Sequence, residues 1–254
     1  MTDKICLIKQ PAGLGDIFFL QKAASQLIEN GYHIVWPIAD QYEWIIDYIG
    51  REGISYGKVS EDFPHKKYYE HTAPIISENF IFLPFQNSDM LLQISPMKAK
   101  YPMVYMTSEN WQDHFNFTRK EWREQMLKER LGLSDEDEFI FVNDMLGSPP
   151  DIYHREMDIQ TDLKVIRNDM ELFDEFNPMD YCWILENAKE IHTVETCFCY
   201  IIEKLDTTDK LFMYSRMVNG SQQNKDFSYI DFVYRKKWKT IQSCDLQIKE
   251  NING

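Results

Sequence analysis

Short apolar runs alternate along this chain with longer stretches whose apolar residues recur at helical spacing. The first run is Ile5–Ile8, which breaks at Lys9-Gln10-Pro11-Ala12 and passes through Gly13-Leu14-Gly15-Asp16. From Ile17 onward Phe18, Leu20, Ala23, Ala24, Leu27 and Ile28 predict a helix, which Gly31 ends. His33–Ile38 reads as a second strand. Asp40 then caps a helical segment carrying Tyr42, Trp44, Ile45, Ile46, Tyr48 and Ile49, and a weak third strand follows near Ile54–Tyr56. Strand and helix alternate here as in a parallel, doubly wound sheet, which places ligands beyond the carboxyl end of its first strand.

The pattern continues with a strand at Phe80–Phe85, and a helix and then a strand at Met103–Met106 within 88–107. Residues 57–78 are polar, and Lys66–His71 is read as an exposed loop rather than part of an acceptor site. Residues 108–117 mix aromatic and polar side chains and are expected to form a loop at the crevice. Thr118 and Glu121 spell a capping box opening a helix that Gly132 ends. Alternation then resumes. Strands are expected at Glu138–Asn143, Leu163–Ile166, Glu190–Val194, Leu211–Ser215 and Tyr229–Val233, with a long loop over 144–157. Helices are expected from Asn177-Pro178 to Ala188 and over Thr196–Leu205. The fold class is α/β, with two Rossmann-like domains, 1–117 and 118–254.

With 44% hydrophobic and 14% aromatic residues, the 254-residue chain has material for a substantial core and is no disordered tail. A net charge of −14 argues against nucleic acid as a partner, while leaving room for one phosphorylated small molecule held locally. No apolar run reaches the length of a membrane span, and the N-terminal stretch lacks the pattern of a signal peptide. A cytoplasmic location is the expectation. Cys6, Cys182, Cys197, Cys199 and Cys244 read as structural thiols, since Cys197-Phe-Cys199 lacks the second half of a zinc site.

The turn after the first strand is where chemistry is expected. Its glycines permit positive φ and close approach of a ligand, and Asp16 stands where a carboxylate can take a proton from a hydroxyl. Asp16 also suits a first helical turn on electrostatic grounds alone. Gly13-Leu14-Gly15 is not the dinucleotide fingerprint, because Phe18 occupies the position of its third glycine. A second constellation, His192-Thr193-Val194-Glu195-Thr196-Cys197, spans a strand end and a helix start. A third candidate is Arg155, a cation for a pyrophosphate, with His154 and Ser148 as helpers; a solvated arginine is the competing reading. Asp135-Glu136-Asp137 precedes a strand and reads as a solvated turn rather than a metal motif.

Lys9, Leu14-Gly15-Asp16-Ile17 and the helix after them resemble the opening of the heptosyltransferase-like glycosyltransferases, which have the two-Rossmann-domain GT-B architecture. The resemblance implies two halves facing across a cleft, with Asp16 as the catalytic base. It implies a nucleotide-diphosphate sugar at Thr193, Glu195, Thr196 and the 144–155 loop, with Arg155 near the diphosphate. Gly13 and Gly15 complete the candidate donor-binding residues. The chain departs from the family in having Glu195 where Asp is commoner, Cys197 where Gly stands, and Tyr200 near the position of a missing His. The implied function is metal-independent, cofactor-free transfer of a sugar to a glycan or other hydroxyl acceptor, and the resemblance favours inversion at the anomeric carbon. A non-catalytic nucleotide- or sugar-binding protein on the same scaffold is the alternative.

Overall fold

The computed structural model describes residues 4–86, 100–148, 151–155, 157, 159–214, 230–241 and 248–249. The chain divides into two compact units, Met1–Thr118 and Arg119–Gly254.

In the first unit β1 (Lys4–Ile8), β2 (Tyr32–Ile38), β3 (Ile54–Lys58), β4 (Ile75–Ile76) and β5 (Phe80–Leu83) form one sheet ordered β3-β2-β1-β5-β4. All neighbours are parallel except β4, which runs antiparallel to β5. Cys6, Leu7 and Ile8 on the central strand are completely buried. That is why β1 reads as an unbroken apolar run. Helix α1 (Leu14–Phe19) begins before Ile17, so Gly15 and Asp16 stand in its first turn rather than in the preceding loop. It hands over at Leu20 to α2 (Gln21–Glu29). A 3-10 turn over Asp40–Ile45 leads into α3 (Ile46–Ile49).

Several expectations change in this unit, beginning with Asp40, which lies inside its 3-10 turn and makes no side-chain cap. Met103–Met106 is not a strand: Pro102–Val104 is a 3-10 turn, while the helix expected before it falls largely outside the described residues. Residues 108–117 are not wholly loop: a short helix interrupts them, and Ser108, Trp111, Gln112 and Phe115 are buried while Glu109, Asn110, Asp113 and Asn116 stay exposed. Helix α4 (Trp111–His114) buries Trp111, and Phe115 stacks on Phe18 with ring centroids 4.5 Å apart. In the 66–71 loop, Lys66, Lys67, Glu70 and His71 are exposed, but Tyr69 is buried beside Leu7, Val35 and Phe82.

The second unit opens with α5 (Glu121–Arg130), ended by Gly132 at φ 60°. Lys120 precedes it without a side-chain cap, so the Thr118–Glu121 box does not form. Strands β6 (Phe139–Asn143), β9 (Lys164–Arg167), β10 (Glu190–Val194), β11 (Leu211–Tyr214) and β12 (Trp238–Ile241) make a parallel sheet ordered β12-β11-β10-β6-β9. Helix α6 (Met170–Glu175) follows β9. The Asn177 box forms as expected, reciprocally with Asp180, over a 3-10 turn (Pro178–Tyr181) that continues as α7 (Cys182–Asn187). Helix α8 (Cys197–Ile202) follows β10. The 144–157 stretch is no long loop: β7 (Met145–Ser148) and β8 (Asp151–Arg155) pair as a hairpin, and β13 (Ile248–Lys249) adds to β8. Tyr229–Val233 is not a strand either, since Ile230–Val233 is helical (α9).

Each parallel sheet reverses direction once. The first sheet grows from β1 through β2 to β3 and resumes on the other side of β1 with the antiparallel pair β4 and β5, which sets β5 beside β1. The second grows from β6 to β9 and resumes on the other side of β6 at β10. The crevices of such sheets open at these reversals, β1/β5 and β6/β10, beyond the strands' carboxyl ends.

Candidate functional site

At the first reversal, the Lys9 amide donates to the Leu83 carbonyl and the Gln86 amide to that of Lys9, both at 2.9 Å, before β1 turns toward α1. Gly13 makes that turn at φ 77°, and a Cβ there would clash with Asp16 Oδ2. Glycine is therefore required both by the backbone and by the carboxylate packed against it. Asp16 is 31% exposed and accepts at Oδ1 from Lys100 Nζ at 2.7 Å, whose own side chain is only 3% exposed. Lys100 also donates to Gln10 Oε1 at 2.6 Å. Gln10 is held in turn, its side-chain amide donating to the Ala12 carbonyl and its main-chain carbonyl accepting from the Trp36 indole at 3.0 Å. Burial lowers the Lys100 ammonium below its usual pKa, against the opposing charge and hydrogen bond of Asp16. Lys9 is directed elsewhere, to the His71 carbonyl and the face of Tyr69.

At the second reversal Asn143 and Thr193 sit opposite one another in the β6–β10 register. Asn143 Nδ2 donates to Thr193 Oγ1 at 3.0 Å and to Thr196 Oγ1 at 3.1 Å. Behind it Asn168 donates to Asn143 Oδ1 at 3.0 Å, and the Tyr181 hydroxyl donates to Asn168 Oδ1 at 2.9 Å. Thr196 precedes α8 and makes no side-chain cap to it. Glu195 accepts from the Tyr234 hydroxyl at 3.3 Å. Arg155, at the end of β8, is buried rather than solvated, and that burial lowers its pKa. His154 pairs instead with Asp144, which also holds Arg167 at 2.8 Å. The Ser148 side chain lies outside the described residues, as does Cys244.

Gly13, Gly15 and Asp16 thus lie together in the first unit, and Arg155, Thr193, Glu195 and Thr196 belong to the second. Lys100, Asn143 and Asn168 were not legible as site residues. A lone lysine ordinarily reads as exposed. Asn143 carried a signal of its own, as the polar residue closing the apolar run Phe139–Val142 at the end where such sheets bind ligands. Burial raises the Cys6, Cys182 and Cys199 thiols well above their usual pKa, as befits structural cysteines. Among the described residues no three His, Cys, Asp or Glu side chains gather as a metal site, and no helix is long and apolar enough to cross a membrane.

No protein-family model matches the chain, and neither does any curated protein. Among solved structures it is similar to the glycosyl transferase family 9 protein from Veillonella parvula DSM 2008, with a TM-score of 0.52 and 12% identity over 96% of this chain and 87% of that one. It is also similar to TibC, the iron-containing dodecameric glycosyltransferase from enterotoxigenic E. coli H10407, with a TM-score of 0.40 and 8% identity over 84% of this chain and 58% of that one. The first likeness establishes a shared α/β fold with parallel sheets. The second is too slight to carry an argument.

Proposed function

We propose that this chain transfers a sugar from a nucleotide-diphosphate donor to a hydroxyl acceptor, with Asp16 as the base. One observation carries the reading: the candidate base and the candidate donor-binding threonines fall at the chain reversals of two separate parallel sheets. The likeness of fold to a glycosyl transferase family 9 protein supports it. The reading requires the two units to face a common reaction centre, as in a GT-B architecture.

Asp16 Oδ2 is the oxygen that Lys100 leaves to the acceptor. As the acceptor hydroxyl gives its proton to Asp16, its oxygen attacks the anomeric carbon. The bond to the diphosphate oxygen breaks, and the nucleoside diphosphate leaves with that electron pair, inverting the configuration. Arg155 supplies the positive charge for the leaving group in place of a divalent ion. Thr193, Glu195 and Thr196 hold the donor, and Gly13 and Gly15 let the ligands approach the main chain.

One observation favours the non-catalytic alternative. Asp16 already has a partner within the chain, because the buried Lys100 ammonium occupies its Oδ1. Asp16→Asn separates the two readings, because the amide oxygen can still accept from Lys100. Under the proposal, Asp16→Asn binds the nucleoside diphosphate as wild type does and loses transfer by about 100-fold or more. A nucleotide at 100 times its Kd should stabilise either protein by about 2.7 kcal/mol. Unchanged turnover in Asp16→Asn removes Asp16 from the chemistry. Failure of ADP, GDP, UDP and their sugars to raise the Tm removes the glycosyltransferase reading.

A further inference from the structure

We propose that Asn143 fixes the direction of the hydrogen bonds at the β6/β10 reversal, so that the Thr196 hydroxyl is presented as a donor to a diphosphate oxygen. The proposal rests on the reading of Thr196 as a donor-binding residue and assigns it an atom and a polarity.

The direction follows from one carbonyl. Thr193 Oγ1 donates its only hydrogen to the Val194 carbonyl at 2.7 Å, a group that can only accept. Thr193 must then receive from Asn143, which sets the amide of Asn143 with Nδ2 toward the two threonines. Its Oδ1 accepts from Asn168 Nδ2, leaving Asn168 Oδ1 for the Tyr181 hydroxyl. One hydrogen of the Asn143 amide goes to Thr193 and the other to Thr196, with the Met145 carbonyl a longer third neighbour at 3.4 Å.

Thr196 Oγ1 therefore accepts from behind. Among the described residues no carbonyl or carboxylate takes the hydrogen of the Thr196 hydroxyl, so that hydrogen is left for a group in front. Asn143, Asn168, Tyr181 and Thr193 are buried and Thr196 is only partly so, which makes its hydroxyl the outward end of the chain. Bonds aligned head to tail in a poorly solvated site strengthen one another, and a reversed link would leave a buried group unsatisfied. The residue at 143 thus decides whether Thr196 donates outward or inward, and a phosphate oxygen, which only accepts, fits the outward sense.

Isothermal titration of ADP, GDP and UDP into the full chain tests this on wild type, Thr196→Val, Thr196→Ser and Asn143→Asp, each first checked for native circular dichroism. Thr196→Val should weaken binding about 10- to 100-fold, the scale of a hydrogen bond to a charged group, whereas Thr196→Ser retains most of the affinity. Asn143→Asp offers only acceptors and draws the Thr196 hydrogen inward, so it should weaken binding to a similar extent. In the unliganded wild type both side-chain amide hydrogens of Asn143 should exchange slowly by NMR, and Thr196→Val should expose one of them. If Asn143→Asp does not fold, the two Thr196 variants and the exchange readout decide the matter. Wild-type affinity in Thr196→Val, or freely exchanging Asn143 amide hydrogens, overturns this inference and leaves the donor site standing. No binding of any of the three nucleotides to wild type overturns the donor site, and this inference with it.

Discussion

The two members of the Asp16–Lys100 pair are unequally exposed, 31% against 3%, so removing them has unequal consequences. Asp16→Ala leaves a buried ammonium with the Gln10 oxygen as its remaining partner in this cluster, and should cost about 3 kcal/mol. Lys100→Met leaves a carboxylate that water reaches and should cost about 1 kcal/mol or less. The double variant should recover most of the Asp16→Ala loss in urea unfolding, and equal costs for the two single variants would contradict the buried-charge account. The same burial predicts a pH effect. Lys100 holds its proton less tightly folded than unfolded, so unfolding takes up a proton between the lowered pKa and the ordinary 10.5. Stability should therefore rise with pH through that window, with the full burial penalty present below it, and Lys100→Met should lack this rise. At Gly13, an added methyl group at φ 77° would meet Asp16 Oδ2. Displacing the base by about an ångström can cost on the order of 100-fold in rate, so Gly13→Ala should lower kcat more than it weakens nucleotide binding.

At the scale of elements, the turn into α7 depends on two reciprocal bonds. Asn177 accepts from the Met179 amide and Asp180 from the Asn177 amide, each at 2.9 Å, and Asp180 also accepts from Arg123 Nε at 2.9 Å. Asn177→Ala should cost about 1 kcal/mol by loss of a cap. Asp180→Ala, which also leaves Arg123 without this carboxylate, should cost about 3 kcal/mol in the same unfolding assay. This box was legible because its bonds are local. The Thr118–Glu121 box is spelled as well and does not form. Its Thr118 amide donates to the Tyr48 carbonyl at 2.8 Å, and the chain stays non-helical through Lys120. Parallel strands were legible for a related reason: burial on both faces leaves an unbroken apolar run, as in Phe139–Val142. Short segments were not. Four residues at 230–233 hold too little of either period to separate helix from strand, and the β7–β8 hairpin carries a weak apolar pattern around Pro149-Pro150. Asp16 could be picked out because a local turn presents it. Lys100 could not, since its partners Gln10 and Asp16 are distant in the chain, and Asn143 acquires its role only when β10 lies beside β6.

At the scale of the molecule, each unit carries its own parallel sheet, its own reversal and its own core. Leu7, Val35, Tyr69 and Phe82 cluster in the first, and Ile140, Val142, Leu146, Met157, Val194 and Tyr214 in the second. Both are of a size that folds alone. The side chains proposed to hold the nucleotide diphosphate belong to the second unit, while the proposed base lies in the first beside Gly13 and Gly15. Residues 119–254 expressed alone should therefore unfold cooperatively and bind the nucleoside diphosphate within about tenfold of the full chain, a difference of about 1.4 kcal/mol. Residues 1–118 should fold and bind none, and neither piece should transfer sugar by itself. Titration calorimetry on the two pieces, each checked by thermal unfolding, makes the comparison. A folded second unit that fails to bind a nucleotide the full chain binds would mean that the first unit supplies part of the donor site, and Gly13 and Gly15 would then be the residues to examine. Binding retained by the second unit, with transfer confined to the intact chain, would divide the chemistry as the two sheets divide the fold: donor recognition at β6/β10 and proton abstraction at β1/β5.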